Sequence, residues 1–274
     1  MGGVKPLLFL PLYNNNVTIL SVNSYLTPTI MKTIKLSIMA LLLISFMACQ
    51  KSSDLSTNVT NEQAADIAAG SISFSSNGVG NISDDGSSDA SAYVTAKAAC
   101  GSTKVDSISR SNVAGSAYVY NYKLKYTYTV NCNSSNIPDN LSAAMNYSGS
   151  FSGPNISSTN SGSATFTLAG LTPTATTYVI NGDYKRSGTF KSKIDTTNNG
   201  TASVDIVITN LTLTKPARVI KSGTAIVTIT GNVPKKGNFN FIGNVVFNGD
   251  GTATLTIGTT SYSVNLITGV RTKI

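Results

Sequence analysis

The sequence predicts an all-β fold: an antiparallel meander of about nine or more strands, forming a barrel-like sheet or a two-layer sandwich, with one short helix ahead of it. Three observations carry this. The chain is rich in Ser, Thr, Asn and Gly together with Val, Ile, Tyr and Phe, a mix that favours strands and tight turns. From Ser116 onward, apolar residues alternate with polar ones at period two. Between these runs no stretch has helical periodicity, so parallel strand–helix–strand units are not expected and an antiparallel order follows.

The strands justify themselves in order. Tyr118, Tyr120, Tyr122, Leu124, Tyr126, Tyr128, Val130 and Cys132 all hold even positions, with Val119, Asn121, Lys123, Lys125, Thr127, Thr129 and Asn131 between them. A helix would scatter those tyrosines around its circumference. Leu141, Ala143, Met145, Tyr147 and Phe151 repeat the pattern, as do Tyr178, Ile180 and Tyr184. Val204, Ile206 and Ile208 keep one phase, and Leu211 and Leu213 switch it after Asn210, which predicts a bulge or a bend. Phe239, Phe241, Val245 and Phe247 follow. Asn248-Gly249-Asp250-Gly251 supplies residues that tolerate positive φ, so a hairpin is expected there. Ala253, Leu255 and Ile257 then alternate with threonines. Gly258-Thr259-Thr260-Ser261 turns the chain into Tyr262, Val264 and Leu266. A sheet of this size tends to curl or split into two layers, and its apolar face must be covered.

Ahead of this β domain (116–274) lies a segment, 60–115, expected to hold a short helix, a loop and a first strand. Thr60 and Gln63 have the spacing of a capping box, and Gly70 can stop the helix that Ala64, Ala65, Ile67, Ala68 and Ala69 would form. Residues 75–92 are rich in Ser, Gly and Asp and are expected to form a loop. Asp84, Asp85 and Asp89 within it do not follow a calcium-loop pattern and are expected to be solvated. A strand is expected over about 90–99, ending near Cys100.

The first part of the chain is an address. Met31-Lys32-Thr33-Ile34-Lys35 begins a charged region, followed by an apolar run over 36–48 that ends at Cys49. As a helix this run would reach roughly 20 Å, short of a bilayer core of about 30 Å. It therefore predicts a signal peptide at 31–48 rather than a membrane span. Residues 1–30 contain three prolines, an Asn14-Asn15-Asn16 run and no acid. This stretch is expected to be a mis-assigned start or an unstructured extension.

Phe46-Met47-Ala48-Cys49 resembles a bacterial lipobox. The resemblance implies that the Cys49 thiol receives a diacylglyceryl group, that signal peptidase II cuts before Cys49, and that palmitate-class chains anchor the mature protein. Two or three chains anchor stably where one does not. Gln50-Lys51-Ser52-Ser53-Asp54 resembles the start of Bacteroidota lipoproteins. Gln50 in place of Asp implies delivery to the outer membrane, and Lys51 with Asp54 leaves both the periplasmic and the cell-surface face open. Residues 49–59 are expected to act as the lipidated tether. The body resembles β-rich lipoproteins of the same group to which no role has been assigned.

Charge and cysteine usage bound the chemistry. The chain carries 20 Lys+Arg, 12 Asp+Glu and no histidine. Lys5, Lys32 and Lys35 precede the processing site, and the remaining basic residues are scattered singly or in pairs. No nucleic-acid-binding arm is present in the sequence. The absence of histidine excludes Ser-His-Asp and Cys-His machinery and most zinc and copper sites. No cofactor or metal site is expected. Glu62 is the only glutamate, so a carboxylate-based hydrolase would have to use aspartates such as Asp183, Asp195 and Asp205. Cys100 and Cys132 remain as one pair in an oxidising compartment and are expected to form a disulfide worth roughly 3–4 kcal/mol. With no histidine to activate it, neither is expected to be a catalytic thiol.

The candidate functional features are therefore few. Tyr118, Tyr120, Tyr122, Tyr126 and Tyr128 form either a core face or a face for a glycan or lipid ligand. Lys123 and Lys125, like Lys185, Lys191 and Lys193, share a parity and are expected to form solvated faces that discourage edge-to-edge pairing, the alternative being faces that attract an anionic glycan or lipid headgroup. Asp106-Ser107-Ile108 and Asp195-Thr196-Thr197 resemble the O-glycosylation sites of Bacteroidota, which implies Ser107 and Thr196 as acceptors. The reading is a lipid-anchored envelope β domain acting in binding or surface structure, not an enzyme. The alternatives are a secreted Asp-dependent hydrolase and a transmembrane β-barrel with its apolar face toward lipid.

Overall fold

A computed structural model describes residues 59–112 and 118–274. The expected start extension (1–30), the expected signal peptide (31–48), Cys49 and the expected tether up to residue 58 lie outside the described residues. The described chain belongs to one compact unit, Leu55–Ile274.

It begins with helix α1 (Asn61–Ile72), a 3₁₀ turn (Phe74–Ser76) and helix α2 (Val79–Thr95). Eleven strands follow: β1 (Thr103–Ser111), β2 (Val119–Cys132), β3 (Pro138–Ser152), β4 (Ile156–Ala169), β5 (Thr177–Ser192), β6 (Asn199–Thr214), β7 (Ile220–Val233), β8 (Gly237–Phe247), β9 (Thr252–Ile257), β10 (Thr260–Asn265) and β11 (Arg271–Lys273). They form one antiparallel sheet in strict sequence order, β1 to β11, which stays open. The all-β meander thus stands. The named alternating runs fall on β2, β3, β5, β6, β8, β9 and β10; β4 and β7 lie between them without being singled out, and β1 and β11 extend the sheet at its two edges.

Parity decides the faces. Tyr122, Leu124, Tyr126, Tyr128 and Val130 on β2 are all buried, and the intervening positions point to solvent. The phase switch in β6 is a bulge: the register with β7 shifts between Thr209 and Thr212, and Asn210 has φ 52°. Leu211 and Leu213 thereby return to the buried face. Gly249 and Gly251, at φ 86° and 84°, make the β8–β9 turn.

The N-terminal region departs from expectation in three places. Helix α1 has the capping box, with Thr60 accepting from Gln63 N and Gln63 accepting from Thr60 N, but it runs past Gly70 to Ile72. The stretch 75–92 is not a loop: most of it is α2. The expected strand over 90–99 is the end of that helix and a turn, and the first strand starts at Thr103. Packing overrides the low helix propensity of a Ser/Gly/Asp-rich segment. Val79, Ile82, Gly86 and Ala90 are buried on one side of α2. Gly86 faces the Phe166 ring so closely that an added Cβ would lie 2.8 Å from it.

The helices explain how an open sheet covers its apolar face. Residues 64–72 of α1 are all buried. A helix buried on every side needs neighbours all round. α1 contacts β6, β7, β9, β10 and β11, and α2 contacts β3, β4 and β5. The sheet curls over the two helices, and neither a second sheet layer nor closure of the first is used.

Candidate functional site

The interior is where the chain concentrates its unusual chemistry. The chain has four arginines, Arg110, Arg186, Arg218 and Arg271, and each one reaches from the sheet or its turns to the helical segment. Arg271 of β11 meets Asp66 of α1, with Nε 2.9 Å from Oδ1 and Nη2 donating to Oδ2 at 3.1 Å; both side chains are about nine-tenths buried. Asn155 Nδ2 donates to the same carboxylate at 3.0 Å. Arg218 Nε donates to Asp84 at 2.7 Å. Arg110 donates to Asn81 Oδ1 at 2.6 Å and to Asp85.

Arg186, on β5, is different. It is buried and forms no ion pair among the described residues. Its Nη1 donates to Gly70 O at 2.9 Å, its Nη2 donates to Ser76 O, and its Nε lies 3.4 Å from the Tyr147 hydroxyl. The carbonyl of Gly70 belongs to the last turn of α1, where the helix leaves acceptors unpaired and carries the negative end of its dipole. A guanidinium suits this place because its fork can satisfy two carbonyls and stays charged when buried. The chain of bonds continues outward: Tyr147 donates to Tyr184 at 2.7 Å, and Tyr184 donates to Asn77 O at 3.0 Å.

The tyrosine ladder divides along its length. Tyr122, Tyr126 and Tyr128 are buried beneath the helices, and Tyr118 and Tyr120, near one end of β2, are half-buried. Tyr126 donates to Asp85, and Asn160 donates to the Tyr122 hydroxyl at 3.2 Å. Burial pushes the Tyr126, Tyr128, Tyr147 and Tyr184 phenols up, so they remain neutral, and Tyr126, Tyr147 and Tyr184 act as donors. Burial also pushes the Asp85 carboxyl up, against the pull of Arg110 and the Tyr126 hydrogen bond.

Little empty space is left beside Arg186. The cavity beside Arg186, lined by Asp66, Ile67, Gly70, Phe151 and Phe190, has a volume of about 30 Å³, near that of a single water. The aspartates named as acid candidates are elsewhere. Asp183 and Asp205 face outward from β5 and β6, with Asp205 3.4 Å from Lys185. Asp195 is in the β5–β6 turn, accepting from Thr197 and 3.7 Å from Lys236. Asp84 and Asp85 are engaged by arginines, and Asp89 lies on α2 with them. No group of three or more metal-ligating side chains occurs among the described residues.

Cys100 and Cys132 are joined, with Cα atoms 5.6 Å apart across a sequence separation of 32. The bond ties the segment after α2 to the end of β2. Ser107 on β1 and Thr196 in the β5–β6 turn are both exposed.

Reasoning from sequence did not single out the arginines or Asp66. The signal was present for Arg186: it shares the inward parity of Tyr184 on β5, a charge on an apolar face. Comparison with protein-family models, curated proteins and solved structures gives no match for this chain.

Proposed function

We propose that the chain is a lipid-anchored cell-envelope lipoprotein whose β domain serves as a binding or surface-structure module. The observation that carries the second half of this reading is the filled interior. The concave face is occupied by the chain's own helices, and its charged groups are held by partners within the fold. A ligand-carrying barrel needs an open apolar cavity of several hundred Å³, and the cavity here is about 30 Å³. Any glycan or lipid ligand is therefore met at the outer surface or at an end of the sheet. The Ser, Thr, Asn and Lys side chains of the outer face supply hydrogen bonds for a glycan.

The same packing weighs against both rivals. A hydrolase would need two carboxylates converging in a cleft, whereas Asp183, Asp195 and Asp205 stand on the outer face or in a turn. A transmembrane barrel would turn its apolar face to lipid, whereas Tyr122, Tyr126, Ile206, Val227 and Leu255 face the helices and are buried. Localisation to the outer membrane rests on Phe46-Met47-Ala48-Cys49 and the Gln50 that follows.

The test of the anchor is Cys49→Ala. The expected result is a soluble form or an uncleaved precursor, with loss of the acylated species by mass spectrometry. Membrane attachment that persists unchanged in the absence of detergent would overturn lipid anchoring.

A further inference from the structure

We infer that the end of the sheet from which the chain runs back to Cys49 is a membrane-facing surface that takes the anionic headgroups of a phospholipid bilayer. This rests on the lipid-anchor reading above. The meander places the turns 153–155, 193–198, 234–236 and 258–259 at the same ends of their strands, with the C-terminal residues 273–274. Neighbouring turns are tied together. Lys193 N donates to Asn155 O at 2.7 Å, and Lys236 Nζ donates to Thr197 Oγ1 at 2.7 Å and Asn198 Oδ1 at 2.6 Å. Helix α1 also starts at this end: Asn61 Nδ2 donates to Ile257 O at 3.5 Å, and Lys273 lies 3.5 Å from Glu62.

From Val59 back to Cys49 is about ten residues, which span at most roughly 35 Å even when fully extended. An acylated Cys49 therefore keeps this end close to the bilayer. The charge here suits that neighbour. Lys191, Lys193 and Lys235 are exposed and form no ion pair among the described residues, and Lys236 is 3.7 Å from Asp195. At the opposite end Lys97 and Lys221 are likewise exposed and without an ion pair among the described residues, but they share that end with Asp139 and Asp250, and Lys215 Nζ is taken up by the carbonyls of Gly170 and Thr172. Ile194, beside Lys193 in the β5–β6 turn, is 67% exposed, and Ile274 is 69% exposed. An apolar side chain beside lysines suits the headgroup layer, where the charge meets phosphate and the side chain meets the acyl boundary. Ile137 and Ile267 are exposed at the other end as well, so apolar exposure does not choose between the ends. The tether and the lysines do. A lysine at an anionic surface contributes about five-fold in partitioning, and salt weakens the effect.

The experiment uses the acylated mature chain. With Cys49 acylated and Cys100 bonded to Cys132, Ile194→Cys introduces a single free thiol for an environment-sensitive fluorophore, and Ile267→Cys does the same at the opposite end. Each labelled chain is reconstituted on phosphatidylethanolamine–phosphatidylglycerol vesicles and on phosphatidylcholine vesicles carrying headgroup-level quenchers. Both chains should float with the vesicles. The probe at 194 should be blue-shifted and quenched on the anionic vesicles. This should be reduced on neutral ones, by high salt and by the triple change Lys191→Ala, Lys193→Ala, Lys235→Ala, while the probe at 267 stays in water. Equal quenching at both ends, quenching only at 267, or a signal at 194 indifferent to lipid charge would overturn the inference. A chain that does not float refutes the anchor itself and the inference with it, a result that flotation reads separately from the fluorescence.

Discussion

Arg186 gives the sharpest prediction, because two substitutions that look alike should rank against intuition. The side chain makes two charge-assisted bonds to carbonyls, to Gly70 at 2.9 Å and to Ser76. At about 1.5–3 kcal/mol each, they contribute about 3–6 kcal/mol. Against them stands the desolvation of a buried cation, several kcal/mol, that no carboxylate offsets. Arg186→Met loses the bonds but also removes the charge, so the net loss should be about 1–3 kcal/mol. Arg186→Lys keeps the buried charge, yet a single ammonium lacks the planar fork and has to reach two carbonyls six residues apart. Its loss should be larger, about 3–5 kcal/mol, or a fall in Tm of roughly 10 °C for a domain of this size. The assay is equilibrium urea unfolding of the oxidised chain, with hydrogen exchange read at the end of α1 and the 3₁₀ turn. A lysine variant within about 0.5 kcal/mol of the parent, or more stable than the methionine variant, would refute the argument that Arg186 works as a fork on helix-end carbonyls.

Two further outcomes follow from the same geometry. Replacing Cys100 and Cys132 together with serine should cost about 3–4 kcal/mol, read as a lower urea midpoint; an unchanged midpoint would contradict the tie between the segment after α2 and the end of β2. Asp85 sets a pH dependence: its folded pKa lies above the unfolded value of 3.8, so protonation favours the folded chain. That contribution is complete below about 4 and is lost as the pH rises through the folded value, so Tm should fall with rising pH just above 4 on its account. Asp85→Asn should flatten this part of the profile, and an identical slope in the variant would show that another group sets it.

How much of this was legible follows from what periodicity can report. Period two marked β2, β3, β5, β6, β8, β9 and β10 and their buried face, because a residue such as Tyr126 or Ile206 announces its side by its parity, whereas β4 and β7 were implied only by the overall count of strands. The bulge at Asn210 was legible for the same reason. Helix α2 was not. Its buried positions include Gly86 and Ala90 as well as Val79 and Ile82, and small residues that fit beneath a ring such as Phe166 do not register as an apolar stripe. The tyrosine ladder was read correctly as one face, but its environment was undetermined, since parity says which way Tyr122 and Tyr128 point and not what meets them. Closure, a second sheet and a pair of helices would all cover such a face, and only long-range packing distinguishes them. The arginine contacts were invisible because they join residues as far apart as Asp66 and Arg271.

The division between arginine and lysine links the fold to its use. All four arginines hold the helical segment, where planar forks satisfy carboxylates and carbonyls, Arg186 and Arg271 in the interior and Arg110 and Arg218 in partly exposed places. Lys123, Lys125, Lys185, Lys191, Lys193 and Lys235 are exposed on outward faces and turns. A compact, strongly hydrated ammonium is costly to bury and effective at a polar surface. The interior polar chemistry is thus spent on keeping the helices beneath the sheet. If the proposed lipid anchor is present, a pull on it would reach α1 first, where Arg186 and the Asp66–Arg271 pair hold the helical segment to the sheet. The cavity left beside Arg186 is about 30 Å³, so the proposed binding role falls to the Ser, Thr, Asn and Lys exterior among the described residues.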